Sequence, residues 1–113
     1  MKLIALYKSI QCFCGNYYGK YKKNDDSLCN MNCVGDKSIK CGSSYKNSVY
    51  EIVYEQRTII YLGCYIDSSS ARDLNGYSKS NYNMNRQQCL LVCSKNNFKY
   101  FGLQYALVKK FLN

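Results

Sequence analysis

The chain has no histidine, no tryptophan and no proline in 113 residues. Without histidine, a Ser-His-Asp triad, a Cys-His nucleophile pair and a Cys₂His₂ zinc site are all ruled out. Long apolar runs are missing too: the longest span four or five residues, against the ~20 needed to cross a bilayer as a helix. We therefore expect no membrane insertion by this chain. Acidic residues are scarce, 7 Asp+Glu against 16 Lys+Arg, for a net charge of +9. The excess invites a nucleic-acid reading. It is spread along the chain, however, at +4 up to Tyr54 and +5 beyond. Only after Asp73 do cations gather without acids, at Lys79, Arg86, Lys95, Lys99, Lys109 and Lys110. A solvated basic face accounts for that pattern, and we expect no nucleic-acid partner.

A secretory leader is not legible either. Met1–Lys8 has a basic residue and a short apolar stretch, but no small-residue cleavage site follows before Cys12. The cysteine content, 8 in 113 residues, nevertheless argues for an oxidising compartment. We reconcile the two by reading the sequence as a piece of a larger one, or as one whose start is misplaced.

What the chain does have is cysteine and tyrosine. Of its apolar residues, 21 are Cys or Tyr and only 22 are Val, Ile or Leu. An aliphatic core of that size is marginal in a domain this small, and cross-links are the usual supplement, typically at ~2–4 kcal/mol each. Five cysteines fall in residues 9–54 (Cys12, Cys14, Cys29, Cys33, Cys41) and three in residues 60–105 (Cys64, Cys89, Cys93), with Glu55–Ile59 as a polar joint. Cys-x₂-Cys pairs are absent, so we expect neither a metal site nor a cofactor.

Four segments read as strands from their β-branched and aromatic content: Ile10–Cys14, Ser48–Tyr54, Thr58–Ile66 and Tyr100–Tyr105. Asn24–Ser27 and Ser68–Ser70 read as exposed turns. One helix is legible, over residues 85–96. Asn85 is placed to cap it, Gln88 follows three residues later as in a capping box, and Cys89, Leu90, Val92 and Cys93 form its apolar stripe. The expectation is an α+β, disulfide-rich domain with an antiparallel sheet packed on one short helix.

Cys89 and Cys93 share a helix face, roughly 6 Å apart along the axis. Cys12 and Cys14 share a strand face at about 6.6 Å. A helix lying along that strand could be joined to it by two parallel bridges. Cys33 and Cys41 could close a small loop, leaving Cys29 for Cys64. Eight cysteines allow 105 pairings, so spacing suggests this set without selecting it.

Gly63-Cys-Tyr-Ile-Asp67, Arg72-Asp-Leu74, Met84, Cys89-Leu-Leu-Val-Cys93 and Tyr100-Phe-Gly-Leu-Gln-Tyr105 resemble the first half of a WSC domain. This is the cysteine-rich module of yeast cell-wall stress sensors, some fungal glucanases and oxidases, and the Kremen receptors. Gln11-Cys-Phe-Cys-Gly-Asn16, Cys29-Asn-Met-Asn-Cys-Val-Gly-Asp36, Cys41-Gly42 and Ser48-Val-Tyr-Glu51 resemble its second half. The halves stand in reversed order: residues 9–54 are similar to the second and 60–105 to the first. Residues 1–8 and 106–113 resemble nothing in the family. We read the order as a piece of a tandem WSC array, cut from the middle of one repeat to the middle of the next. The other reading is one circularly permuted domain.

The resemblance implies the pairs Cys29–Cys64, Cys12–Cys89, Cys14–Cys93 and Cys33–Cys41. It also implies a non-catalytic, extracellular or cell-surface module that binds polysaccharide or glycoprotein glycans and pairs with neighbouring WSC repeats. Catalysis is expected from a separate domain, and the seven carboxylates assign no glycosidase pair. Tyr17, Tyr18, Tyr45, Tyr77 and Tyr82 sit in polar stretches and are candidate sugar-stacking platforms, although tyrosine is also this chain's main large core residue. Asp67 with Arg72 follows the family motif, either as a ligand-gripping pair or as an ion pair that holds the loop. Gly15, Gly35 and Gly42 read as turn glycines, and Ser43 replaces a second family glycine. The alternatives are a protein-interaction or spacer module of a cell-surface protein and a non-functional gene fragment.

Overall fold

The computed structural model describes residues 2–34 and 36–112, with backbone only for 4–7 and 108–112. The elements run β1 (Lys2–Gly15), β2 (Lys23–Asn24), β3 (Lys46–Val53), β4 (Thr58–Ile66), β5 (Tyr77–Asn81), α1 (Arg86–Lys95) and β6 (Tyr100–Leu112). The strands form one antiparallel sheet in the order β2-β4-β3-β6-β1-β5. The α+β class, the cysteine cross-links and the single helix are thus as the sequence predicts.

Both sequence blocks contribute to the centre of the sheet, because β3 and β1 flank β6. The polar joint is a tight hairpin. Tyr54–Gln56 makes one 3₁₀ turn, Arg57 takes φ 52°, and Thr58 and Ile59 already belong to β4. The end strands outrun their sequence signals. Residues 2–8 and 107–112, expected to match nothing, pair with one another from Lys2↔Leu112 to Lys8↔Leu107. β5 is a polar edge strand, Tyr-Ser-Lys-Ser-Asn, without the apolar alternation that would announce it.

Alternation in β1 sends Cys12 and Cys14 to one face and Phe13 to the other. On the first face α1 is fastened by Cys12–Cys89 and Cys14–Cys93. Ile10, Phe101, Leu103, Tyr50, Ile52 and Met84 complete that core. On the second face Phe13 and Val49 pack against Leu74, carried on the loop between β4 and β5. Cys29–Cys64 and Cys33–Cys41 anchor the irregular segment between β2 and β3. These four pairs are the ones the resemblance implies, and three of them cross between the blocks.

Asn85 caps α1, its side-chain oxygen accepting from the Gln88 N–H at 2.9 Å. The helix stops at Asn96, and Asn97 takes the left-handed conformation at φ 61°. Gly15 is a strand residue rather than a turn residue. What keeps it small is Leu74, which a Cβ would meet at 3.2 Å. Gly35 lies outside the described residues.

Candidate functional site

Among the several clefts on the surface are two, one on each face of the sheet, that combine an exposed tyrosine ring with convergent polar groups. The larger, of about 430 Å³, is lined by Asp26, Ser38, Ile39, Lys40, Tyr61 and Arg86, with Tyr50 and Ser48 also in its wall. Its volume lies within the usual range for small-molecule sites, about 300–1,000 Å³. Each lining residue is placed by a separate piece of local structure. Asp25 accepts from the Ser27 N–H at 2.9 Å and so starts the 3₁₀ turn Asp26–Leu28 that carries Asp26. The Cys33–Cys41 bridge closes the loop bearing Ser38 and Lys40. Inside that loop Asp36 accepts from the Ser38 N–H at 3.1 Å and from the Ser38 hydroxyl at 2.6 Å.

Tyr50 and Tyr61 face each other across β3 and β4, with centroids 5.2 Å apart. Tyr50 is buried and stacks on Phe101, whereas Tyr61 is 43% exposed. Arg86, the first residue of α1, sits over the Tyr50 ring at 5.7 Å. The Tyr61 hydroxyl donates to Asp26 at 3.1 Å. Burial first, then that hydrogen bond and the Asp26 charge, push the Tyr61 hydroxyl well above the ordinary tyrosine value. It therefore remains a protonated donor at any physiological pH. The cleft thus combines one accessible aromatic face with a carboxylate, a hydroxyl, an ammonium and a guanidinium.

The smaller cleft, about 230 Å³, is lined by Gln11, Ser44, Tyr45, Arg72, Gln104, Tyr105, Ala106 and Leu107. A buried polar network stands behind it. Asp67, whose side chain is fully buried, accepts from Arg72 Nη1 at 2.8 Å, from Gln104 Nε2 at 2.8 Å and from the Asp73 N–H at 2.9 Å. Gln104 Nε2 also donates to Asn47 Oδ1 at 3.2 Å, and Asn47 Nδ2 is a buried donor with no partner among the described residues. Asp67 is therefore an internal anchor of the β4–β5 loop. Its carboxylate is buried and committed to these three donors, which favours the loop-holding reading of the Asp67–Arg72 pair over the ligand-gripping one.

Burial alone would raise the Asp67 carboxyl. The Asp73 N–H, the Arg72 guanidinium and the Gln104 amide outweigh it, so the net direction is downward. A depressed folded-state value contributes stability that is present above the ordinary aspartate value of 3.8 and lost as pH falls through the folded one. The wild-type denaturation midpoint should therefore drop steeply below that value. Asp67→Asn should be less stable at neutral pH and lack that part of the acid limb. An unchanged acid limb in the variant would remove Asp67 from this role.

The tyrosines singled out from the sequence do not form one site. Tyr45 is 56% exposed and borders the smaller cleft. Tyr17, Tyr77 and Tyr82 are exposed at the end of β1 and the two ends of β5, and line neither cleft. Tyr18 is a packing residue, between Tyr65 at 5.2 Å and Tyr100 at 4.7 Å. Its polar neighbours in sequence misled because Asp73 accepts from the Gly19 and Lys20 N–H groups, at 2.9 and 2.7 Å, and folds the segment onto the second face. Tyr61, Asp26, Lys40 and Arg86 escaped the sequence reading because they come from four distant segments. The sulfurs of Cys12, Cys14 and Cys93 lie within 4.8 Å of one another, but each is already bonded in a disulfide and is no metal ligand. Among the described residues no helix is long and apolar enough to cross a membrane.

The WSC domain family model matches the chain over residues 1–43 and 61–107. A WSC domain-containing protein of Arthroderma benhamiae is 35% identical over 112 residues, an alignment covering 92% of this chain. The chain spans 15% of that relative's length. No solved structure matches.

Proposed function

The chain belongs to the WSC domain family, and from that premise we propose that it is a non-catalytic, extracellular or cell-surface carbohydrate-binding module. The larger cleft is its sugar site. The observation that carries this reading is the exposed ring of Tyr61, set among Asp26, Ser38, Lys40 and Arg86 in about 430 Å³. A flat ring offers the C–H face of a sugar an apolar surface, while the charged and hydroxyl groups around it can bond the equatorial hydroxyls. Pairing of all eight cysteines in disulfides supports an oxidising, extracellular setting.

The same reading takes residues 9–54 as the second half and 60–105 as the first half of a WSC module. One alignment over 92% of the chain, to a protein of which it spans 15%, supports the view that the two halves also run in this order within a longer relative. The sugar cleft draws Asp26, Ser38 and Lys40 from one half and Tyr61 and Arg86 from the other, so it needs both.

Glycan-array screening against chitin, β-1,3-glucan and mannan tests the assignment. We expect binding by the oxidised protein and at least about a tenfold loss for Tyr61→Ala, equivalent to ~1.4 kcal/mol. Tyr17→Ala and Tyr82→Ala should bind as wild type. A clean lack of binding across the array would overturn the proposal in favour of a spacer or protein-interaction module.

A further inference from the structure

The smaller cleft has a chemistry of its own. Arg72 is the only charged residue in its wall among the described residues. Its guanidinium lies over the Phe13 ring at 4.6 Å and is held by Asp67 and Gln104 through Nη1 alone. Nε and Nη2 have no partner among the described residues, and the side chain keeps 25% of its surface exposed. A long side chain pinned at its tip has already lost the rotamer freedom that a surface arginine would lose on binding. The unoccupied edge of a guanidinium presents parallel N–H donors spaced to meet the two oxygens of a carboxylate. Asp67 cannot compete for that edge, because its oxygens already accept from Arg72, Gln104 and the Asp73 N–H.

We propose that this cleft is a second ligand site, specific for a carboxylate and carried either on an acidic sugar unit or on a small free acid. The carboxylate sits against the free edge of Arg72. Gln11 flanks it with an amide and the half-exposed Tyr45 ring closes one side against the body of the ligand, while Gln104, its amide committed to Asp67, Asn47 and Arg72, braces the guanidinium from behind. A neutral sugar offers hydroxyls that fit the fork less well and do not answer its charge. The net charge of +9 further favours an anion. Because Tyr61 lines the other cleft, on the opposite face, the two sites bind independently, and this one does not rest on the neutral-glycan reading.

The test is a titration followed by amide-resolved NMR and calorimetry, with three probes: an oligosaccharide containing glucuronate, free glucuronate, and a neutral glucose oligosaccharide of the same length. Both acids should shift the Gln11 and Gln104 side-chain amides, and added salt should weaken them. The neutral sugar should bind there at least about tenfold more weakly. Comparable affinity for both acids identifies the free carboxylate as sufficient, while a preference for the oligosaccharide identifies the glycan as the source. Arg72→Lys keeps the charge but loses the fork and should weaken acid binding by about tenfold or more. Gln11→Ala removes a partly exposed side chain that holds no structural bond among the described residues, and should weaken it measurably in a folded protein. Tyr61→Ala should leave acid binding intact, so failure of the first cleft and failure of this one are separable. Equal binding of acid and neutral probes, or wild-type affinity in Gln11→Ala, would sink the proposal.

Discussion

A variant lacking both helix-to-strand bridges, Cys12→Ala/Cys89→Ala combined with Cys14→Ala/Cys93→Ala, is expected to be unfolded without denaturant, while removal of either bridge alone leaves a folded protein. Sequence separations of 77 and 79 residues make the two bridges nearly redundant as loop closures. With one present, the other closes only the small ring between strand and helix, contributing about 2 kcal/mol in the chain-entropy picture. With neither present, the whole intervening chain is released, shortened to roughly 40 residues by the Cys29–Cys64 link, for about 4 kcal/mol more. The combined loss of about 6 kcal/mol is comparable to the entire stability of a small domain. Urea midpoints of the wild type, the two single-bridge variants and the combined variant measure this directly. Additive single effects would show that the bridges act through local packing rather than through shared closure.

The same redundancy explains why the helix and its strand were the most legible part of the sequence. The i, i+4 spacing on a helix and the i, i+2 spacing on a strand are both set by backbone geometry. A cysteine pair at each spacing therefore states its own partner element. The Asn85 cap and β4 were legible for a similar reason, since their signals lie within a few residues. The ends of β1 and β6 were not, because residues 2–8 and 107–112 become strand only by pairing with each other across the whole chain. β3 begins at Lys46, two residues before its β-branched run, because Tyr45 turns the chain at φ 56° and the ladder starts immediately after it.

The candidate site was less legible than the fold. Tyr45 could be found because an exposed turn carries it. Tyr18 and Tyr45 look alike in sequence, and the difference between a half-buried, packed ring and an exposed one is made by Asp73, 55 positions from the first of them. The motif spacing places Asp67 near Arg72 but leaves both roles of the pair open, because the burial of Asp67 depends on Gln104 and on the loop folding over Phe13, which no local spacing reports. Tyr61 looked like one more residue of a strand. It becomes a platform because β2 is only two residues long and leaves that part of β4 uncovered.

Gly42 is where a single methyl group should do most damage. It has φ +69°, and a Cβ there would run into the backbone carbonyl oxygens of Leu103 and Lys46. Neither atom can move cheaply. Leu103 pairs with both β1 and β3, and Lys46 opens β3 while its carbonyl accepts from the Ser43 N–H at 3.1 Å. The left-handed backbone costs a non-glycine residue ~1–2 kcal/mol, and the overpacking adds ~1–3 kcal/mol. Gly42→Ala should therefore lose about 3–4 kcal/mol, visible as a large fall in the urea midpoint with an unchanged slope. Ser43, which stands where the family usually has a second glycine, is different. It lies outside the left-handed region, and its hydroxyl donates to the Leu28 carbonyl at 2.7 Å. Ser43→Gly should cost only about 1 kcal/mol, the net worth of that bond, so of two adjacent family glycines only the first is demanded by the backbone. Equal tolerance of Gly42→Ala and Ser43→Gly would show that the turn relaxes around an added Cβ and that the Leu103–Lys46 crossing is not rigid.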